Sequence, residues 1–474
     1  ESTFTNLWDF NVDTVNSDTT LYAKFTDALW AKSVTAGTSH SSFSSVAVDS
    51  SGNVYAAGRQ YGTGSFKYGP GVSVAGTSSG SNVVLVKYNS SGKALWAKSV
   101  TSGTSSSYFY SVAVDSSGNI YAAGYQYGTG SFKYGPGVSV AGTSSGSNVV
   151  LVKYNSSGTA LWAKSVTAGT SPSEFNSVAV DSSGNVYAAG YKYNTGSLTY
   201  GEGVSVAGSY SGSNVVLVKY DSSGTALWAK SVTAGDSYSL FNSVAVDSSG
   251  NVYAAGSQGG TGSLTYGAGV SVAGSYSGYN LVLVKYDSSG TALWAKSVTA
   301  GTSESRFNSV AVDSLGNVYA AGYQSYPSSN VVLVKYDSSG TALWAKSVTA
   351  GDSYSLFNSV AVDSSGNVYA AGWQYGTGSF TYGAGVSVAG SYADGSNVVL
   401  VKYDSSGNAL WAKSVTAGTD VSSFSSVAVD SSGNVYAAGY QYGTGSYTYG
   451  EGVSVAGSSS SYANVVLVKY DATP

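Results

Sequence analysis

Hydrophobic and small residues along this chain fall into four short runs per unit, and the unit is written seven times. In its first complete copy the runs are Phe43 to Val48, Val54 to Gln60, Val83 to Tyr88 and Ala94 to Val100, here named a, b, c and d. Each run clusters or alternates β-formers. Nowhere do apolar positions return at the spacing of an amphipathic helix, so the expected class is all-β. The turns a-b and c-d share one chemistry, Asp49-Ser-Ser-Gly52-Asn53 and Asn89-Ser-Ser-Gly92-Lys93. An Asp or Asn side chain can bond backbone two residues on, and glycine supplies positive φ, so the runs fold as antiparallel hairpins.

Side chains grow from a (S-V-A-V) through b (V-Y-A-A-G) and c (V-V-L-V-K-Y) to d (A-L-W-A-K). Sheets set radially about an axis are crowded inside and splayed at the rim, which suits a propeller blade and not a solenoid. Burial of both blade faces explains why run c is almost continuously apolar.

Seven copies of a, b and c meet only six following d runs, because the last copy ends at Tyr470-Asp-Ala-Thr-Pro474, while an orphan d run, residues 28–34, precedes the first a. The expected architecture is a seven-bladed β-propeller over residues 27–474, closed by 28–34 completing the last blade as its outer strand. The repeated tryptophans, Trp30, Trp96, Trp162, Trp228, Trp294, Trp344 and Trp411, are spaced 66, 66, 66, 66, 50 and 67 apart, so blade five has lost 16 residues. The loss falls between b and c. There Tyr323-Gln-Ser-Tyr-Pro-Ser-Ser-Asn330 replaces a segment that reads as a hairpin in the six other blades, an appendage to the sheet.

Antiparallel order puts turns a-b and c-d on one face of the disc and connections b-c and d-a on the other. The first face is nearly invariant among the copies, whereas the second varies. Its d-a residues include Ser39-His40-Ser41, Ser106-Ser107-Tyr108, Pro172-Ser173-Glu174, Asp236-Ser237-Tyr238, Glu304-Ser305-Arg306, Asp352-Ser353-Tyr354 and Asp420-Val421-Ser422. The residue after A-A-G is Arg59, Tyr125, Tyr191, Ser257, Tyr323, Trp373 or Tyr440. Loops on a rigid scaffold carry function, so this face is the candidate contact surface; drift at unconstrained loops is the alternative. Arg59, Tyr125, Tyr191, Tyr323, Trp373 and Tyr440 are the candidate ligand contacts, with Tyr125, Tyr191, Trp373 and Tyr440 suited to stacking on sugar rings.

Composition narrows the function classes. With 21 basic and 25 acidic residues there is no basic stripe for nucleic acid and no polybasic membrane patch. No run is long and apolar enough to insert in a membrane, and without cysteine there is neither a disulfide framework nor a thiolate zinc site. A chain starting at Glu1 without Met reads as a processed fragment.

Catalytic chemistry finds little support. His40 is the single histidine and reads as a solvated loop residue. Gly76-Thr-Ser78-Ser-Gly80 and Gly142-Thr-Ser144-Ser-Gly146 match a nucleophile elbow in letters but lack its strand-to-helix turn. One Asp per a-b loop (Asp49, Asp115, Asp181, Asp247, Asp313, Asp363, Asp430) is a turn former, not a calcium cage. The acids Glu174, Glu202, Asp236, Glu304, Asp352, Asp420 and Glu451 lie on different blades, unlike a glycosidase pair. Lysines in V-K-Y and W-A-K read as snorkelling rim residues. No enzyme activity, cofactor or metal is expected.

G-S-N-V-V-L-V-K-Y-D-S-S-G-T-A-L-W-A-K-S followed by S-V-A-V-D-S-S-G-N-V-Y-A-A-G resembles the SBBP-type bacterial β-propeller repeat, with its D-x-x-G-N-x-Y-x-x-G core and following K-x-D-x-x-G segment. The resemblance covers about residues 27–471. Asn214 and Asn330 stand where that family often carries Asp. Residues 4–25, ending T-L-Y-A-K-F, resemble the close of a Listeria-Bacteroides repeat, making 1–26 the remnant of an upstream small β domain. These resemblances imply a secreted or cell-surface bacterial protein. Two roles are open: a non-catalytic adhesion module contacting glycan or protein, or a self-associating building block of a surface layer, sheath or filament.

Overall fold

A computed structural model describes residues 28–325, 329–351 and 353–471; the proposed upstream remnant, 1–26, lies outside them. Seven four-stranded antiparallel sheets stand around one axis, in the order a-b-c-d. In blade one these strands are Ser41–Val48, Val54–Tyr61, Ser81–Tyr88 and Ala94–Lys98. Strands a, b and c run one to two residues past the expected limits toward the variable face, and strand d stops two residues short. The a strands form the central ring, and in blade one every residue of strand c is buried.

The expected closure is present. Ala28–Lys32 is the outer strand of blade seven, pairing antiparallel with Ala463–Tyr470 through Ala28↔Tyr470, Trp30↔Lys469, Ala31↔Val468 and Lys32↔Leu467. Trp30 Nε1 donates to Ser90 O of blade one at 3.2 Å, as Trp96 Nε1 does to Ser156 O of blade two at 3.3 Å. Gly92, in the turn beneath Trp30, has φ +76°, and a Cβ there would stand 2.6 Å from Lys32 Cε and 2.9 Å from the indole.

Small hydroxyls zip the blades together near the axis. The fifth residue of each strand a is a serine whose Oγ accepts the next blade's Val N–H, from Val112 N to Ser45 Oγ round to Val46 N to Ser426 Oγ, all at 3.1 Å. The first serine of each strand a accepts a strand-c N–H of the preceding blade, and Val465 N to Ser41 Oγ at 3.2 Å closes that second ring. Buried N–H groups need partners, so serine at these places is structural.

Two sequence expectations need correction. The insertion is, as expected, its own two-stranded hairpin outside the four-stranded sheet, Ser65–Gly69 with Val72–Ala75 in blade one, but it is packed into the molecule rather than standing free. It buries Phe66 and Tyr68, stacks Tyr68 on Phe43 at 6.1 Å, and bonds backbone at Lys67 to Thr35 and Ala36 of the incoming connection. Radial sheets diverge toward the rim, and the hairpin fills the resulting wedge. Blade five lacks it, and there Val332, Val334 and Tyr336 are 8–9% exposed, against 0% for Val84, Val86 and Tyr88. The V-K-Y lysines do not snorkel either. Lys87 is 8% exposed, sits 5.1 Å from the Tyr55 ring centroid, and donates to Ser156 O of the next blade at 3.1 Å.

The a-b aspartates do form turns. Asp49 Oδ1 accepts from the N–H groups of Ser51 and Asn53, and Oδ2 from Asn53 Nδ2 and the Tyr55 hydroxyl, all at 2.9 Å. Burial pulls its pKa upward, yet these bonds outweigh burial and hold it below the usual carboxylate value. The asparagine that is the second residue of strand c has an equally full role. Asn82 Oδ1 accepts from Thr77 and Ser78 N–H, and Nδ2 donates to the carbonyls of Gly62, Ser78 and Gly80, fixing the b-c connection. An Asp there would lose the donors.

Candidate ligand-binding site at the mouth of the central cavity

Strand a breaks register with strand b at one place in every blade. Phe43 faces Gly58 and Ser45 faces Ala57, leaving Ser44 as the extra residue of a β-bulge. Gly58 is required there, since a Cβ would lie 2.0 Å from Ser42 O. A bulge re-aims the side chain it carries. The seven bulge residues are Ser44, Tyr110, Asn176, Asn242, Asn308, Asn358 and Ser425, and all line one open cavity of about 560 Å³ on the axis.

Two residues earlier on strand a stands a second variable position, which register pairs with the residue after A-A-G on strand b. The pairs are Ser42↔Arg59, Tyr108↔Tyr125, Glu174↔Tyr191, Leu240↔Ser257, Arg306↔Tyr323, Leu356↔Trp373 and Ser423↔Tyr440. Of the six predicted contacts, Tyr191, Trp373 and Tyr440 line the cavity, together with Glu174, Leu240 and Ser423. Arg59, Tyr125 and Tyr323 instead pack in the surrounding wall. Tyr323 donates to Glu304 Oε1 at 3.0 Å, and that carboxylate also holds Arg306 at 2.9 Å.

Sequence reading missed the bulge position altogether and placed Tyr108, Glu174 and Arg306 in loops, whereas they belong to strand a. The available signal was the pattern S-x-F-x-S-V-A-V, in which only the two x positions change among the copies. His40 is also corrected. It is half-buried with its ring edge-on to Tyr61 at 5.5 Å, and burial, reinforced by the nearby Arg59 charge, pushes its pKa down to about 4. Asp352 lies outside the described residues.

The wall is chemically lopsided. On blades three to six the bulge asparagines donate Nδ2 to the Phe carbonyl of the next blade at 2.8–2.9 Å. Blade two instead carries a tyrosine at the bulge: Tyr108 and Tyr110 rings are 4.4 Å apart, and Tyr110 and Tyr125 5.7 Å. Burial raises the Glu174 carboxyl despite hydrogen bonds from Tyr191, Ser147 and Tyr110. Burial, then the Glu174 charge, raises the Tyr110 hydroxyl. Such a wall can stack on rings and exchange hydrogen bonds. No group of three metal-ligating side chains occurs among the described residues. Rim clefts of about 610 and 700 Å³ also exist, but segments that recur in the other hairpin-bearing blades line them, so nothing singles out one copy.

No family model and no curated protein matches the chain. Solved structures that resemble it include a protein of unknown function from Bacteroides caccae (15% identity, TM-score 0.37, covering 70% of this chain and 89% of that one). Others are the WD40 β-propeller domain of Doa1 (10%, 0.46, 94% and 96%) and a catalytically inactive virginiamycin B lyase from Staphylococcus aureus (7%, 0.45, 92% and 98%). At these scores the likenesses carry nothing about activity, and the seven-bladed ring rests on the strand pairing itself.

Proposed function

We propose that this protein is a non-catalytic binding module that seats a carbohydrate at the mouth of the central cavity. One observation carries the reading. Among seven near-identical copies, variation on strands a and b gathers at three positions that converge on a single cavity or its wall, while the positions that zip the blades together stay fixed. The exposed turns vary less: one a-b turn carries Leu315 for serine, and the c-d turns exchange only Asn for Asp at their first residue and Lys, Thr or Asn at their last. The cavity volume falls within the usual range for small-ligand sites, about 300–1,000 Å³, and Tyr191, Trp373 and Tyr440 supply aromatic planes with polar edges. The resemblance to SBBP-type repeats supports display on a bacterial surface. Retention on an immobilised glycan panel tests the idea. Retention that disappears in Trp373→Ala and Tyr440→Ala, with melting unchanged, is expected; failure to bind any sugar, or undiminished binding by both variants, overturns it.

A further inference from the structure

The chain has two arginines, and the fold treats them oppositely. Arg306 is neutralised: Nε and Nη2 both reach Glu304 Oε1 at 2.9 Å, and its guanidinium lies 3.3 Å from the Tyr279 ring centroid. Arg59 has no carboxylate partner among the described residues. Its guanidinium lies 4.6 Å from the Tyr108 centroid and 5.5 Å from that of Tyr61, and its Nε is buried without a hydrogen-bond partner. Nearby His40 is no counter-ion. A half-buried cation without a carboxylate partner is costly, and an anion on its terminal guanidinium nitrogens would relieve that cost.

The surroundings narrow the anion's carrier. A guanidinium stacked on an aromatic face keeps its edge free, and that planar fork matches a carboxylate. Tyr108 and Tyr125, whose rings lie 6.3 Å apart, stand beside it, with Tyr110 against both and lining the cavity. We infer that the ligand at the mouth is an acidic sugar whose anionic substituent seats on Arg59 while its ring lies against the blade-two tyrosines. The inference rests on the binding reading above and adds the charge and orientation of the sugar.

Calorimetric titration of the full chain with oligogalacturonate, its neutral methyl ester and a sulfated oligosaccharide of equal length tests it. The acid should bind at least tenfold more tightly than the ester. Arg59→Gln should bring that ratio near one, and Arg59→Lys, which keeps charge without the fork, should leave an intermediate ratio; melting curves establish that both variants fold. A sulfated sugar binding more tightly than the uronate would keep the anion seat but replace carboxylate with sulfate. Equal binding of acid and ester, or a ratio unchanged in Arg59→Gln, overturns the role of Arg59 and leaves the mouth as a neutral-sugar site. Binding of none of the three overturns the acidic-sugar inference, while the glycan panel decides the binding reading by itself.

Discussion

If residues 28–32 truly close the ring, Trp30 should be worth as much as its counterpart inside an unbroken blade. The two environments match. Trp30 and Trp96 each donate Nε1 to the following blade's c-d turn (3.2 and 3.3 Å), meet a tyrosine ring at 6.1 and 6.2 Å, and carry a lysine ammonium at 5.9 Å. Truncating a half-buried indole to alanine should cost about 2–3 kcal/mol, somewhat below the fully buried range, and the lost hydrogen bond about 1 kcal/mol more. Unfolding entropy of about 2.1 cal/mol/K per residue over 474 residues is roughly 1 kcal/mol/K, so a ring that melts as one unit should lose about 3–4 °C. Scanning calorimetry of Trp30→Ala and Trp96→Ala should therefore give equal drops. A Trp30→Ala protein that melts with wild type while Trp96→Ala drops would show that the two chain ends do not clasp in solution.

Blade three supplies a second prediction, because Lys192 replaces the glutamine that elsewhere ties the insertion hairpin. In blade one the Tyr68 hydroxyl donates to Gln60 Oε1 at 3.0 Å, whereas the Tyr200 hydroxyl is buried without a partner. Tyr68→Phe should cost about 1 kcal/mol and Tyr200→Phe nothing, until Lys192→Gln restores the acceptor and makes Tyr200→Phe costly by a similar amount, as urea melts would read. Lys192 itself is fully buried, donates to Asn194 O at 2.6 Å, and burial pushes its pKa down to about 8. The unfolded chain holds that proton up to about 10.5, so stability should rise with pH between 8 and 10.5, and Lys192→Gln should flatten the rise. Finally, sedimentation should find a monomer at high concentration; ordered sheets or fibres would favour the building-block role over the binding role.

Much of this fold is legible because each blade repeats its own instructions. Turn chemistry at Asp49-Ser-Ser-Gly52 set the a-b hairpin, and counting d runs closed the ring. What stayed hidden depends on register or on neighbours. The bulge at Ser44 appears only once strands a and b are aligned, since seven residues of one face eight of the other. The serine zippers look like ordinary polar filler until adjacent blades are in place. Lys87 is hidden for the same reason, because its acceptor lies 69 residues away in another blade. The packing of the hairpin was misjudged although S-F-K-Y alternates apolar and polar residues, a pattern that announces one buried face.

The rim bears on the choice between binding and self-assembly. Every blade ends in an edge strand, and an open edge invites pairing with another chain. Here each edge is short and broken: between Ala94 and Trp96 the pairing with strand c shifts, leaving Leu95 as a bulge residue, and the same shift occurs in the other six outer strands. A five-residue bulged edge such as Ala94–Lys98, ending in lysine, is a poor template for a second sheet. The leucines so displaced are 40–52% exposed, yet each sits on its own blade, and scattered single apolar residues are normal on soluble proteins. A sevenfold belt, moreover, cannot tile a plane with equivalent contacts, and blade five breaks the equivalence further. What distinguishes one side of this molecule from another is therefore the lopsided mouth of the cavity, where tyrosines and an uncompensated arginine crowd one sector.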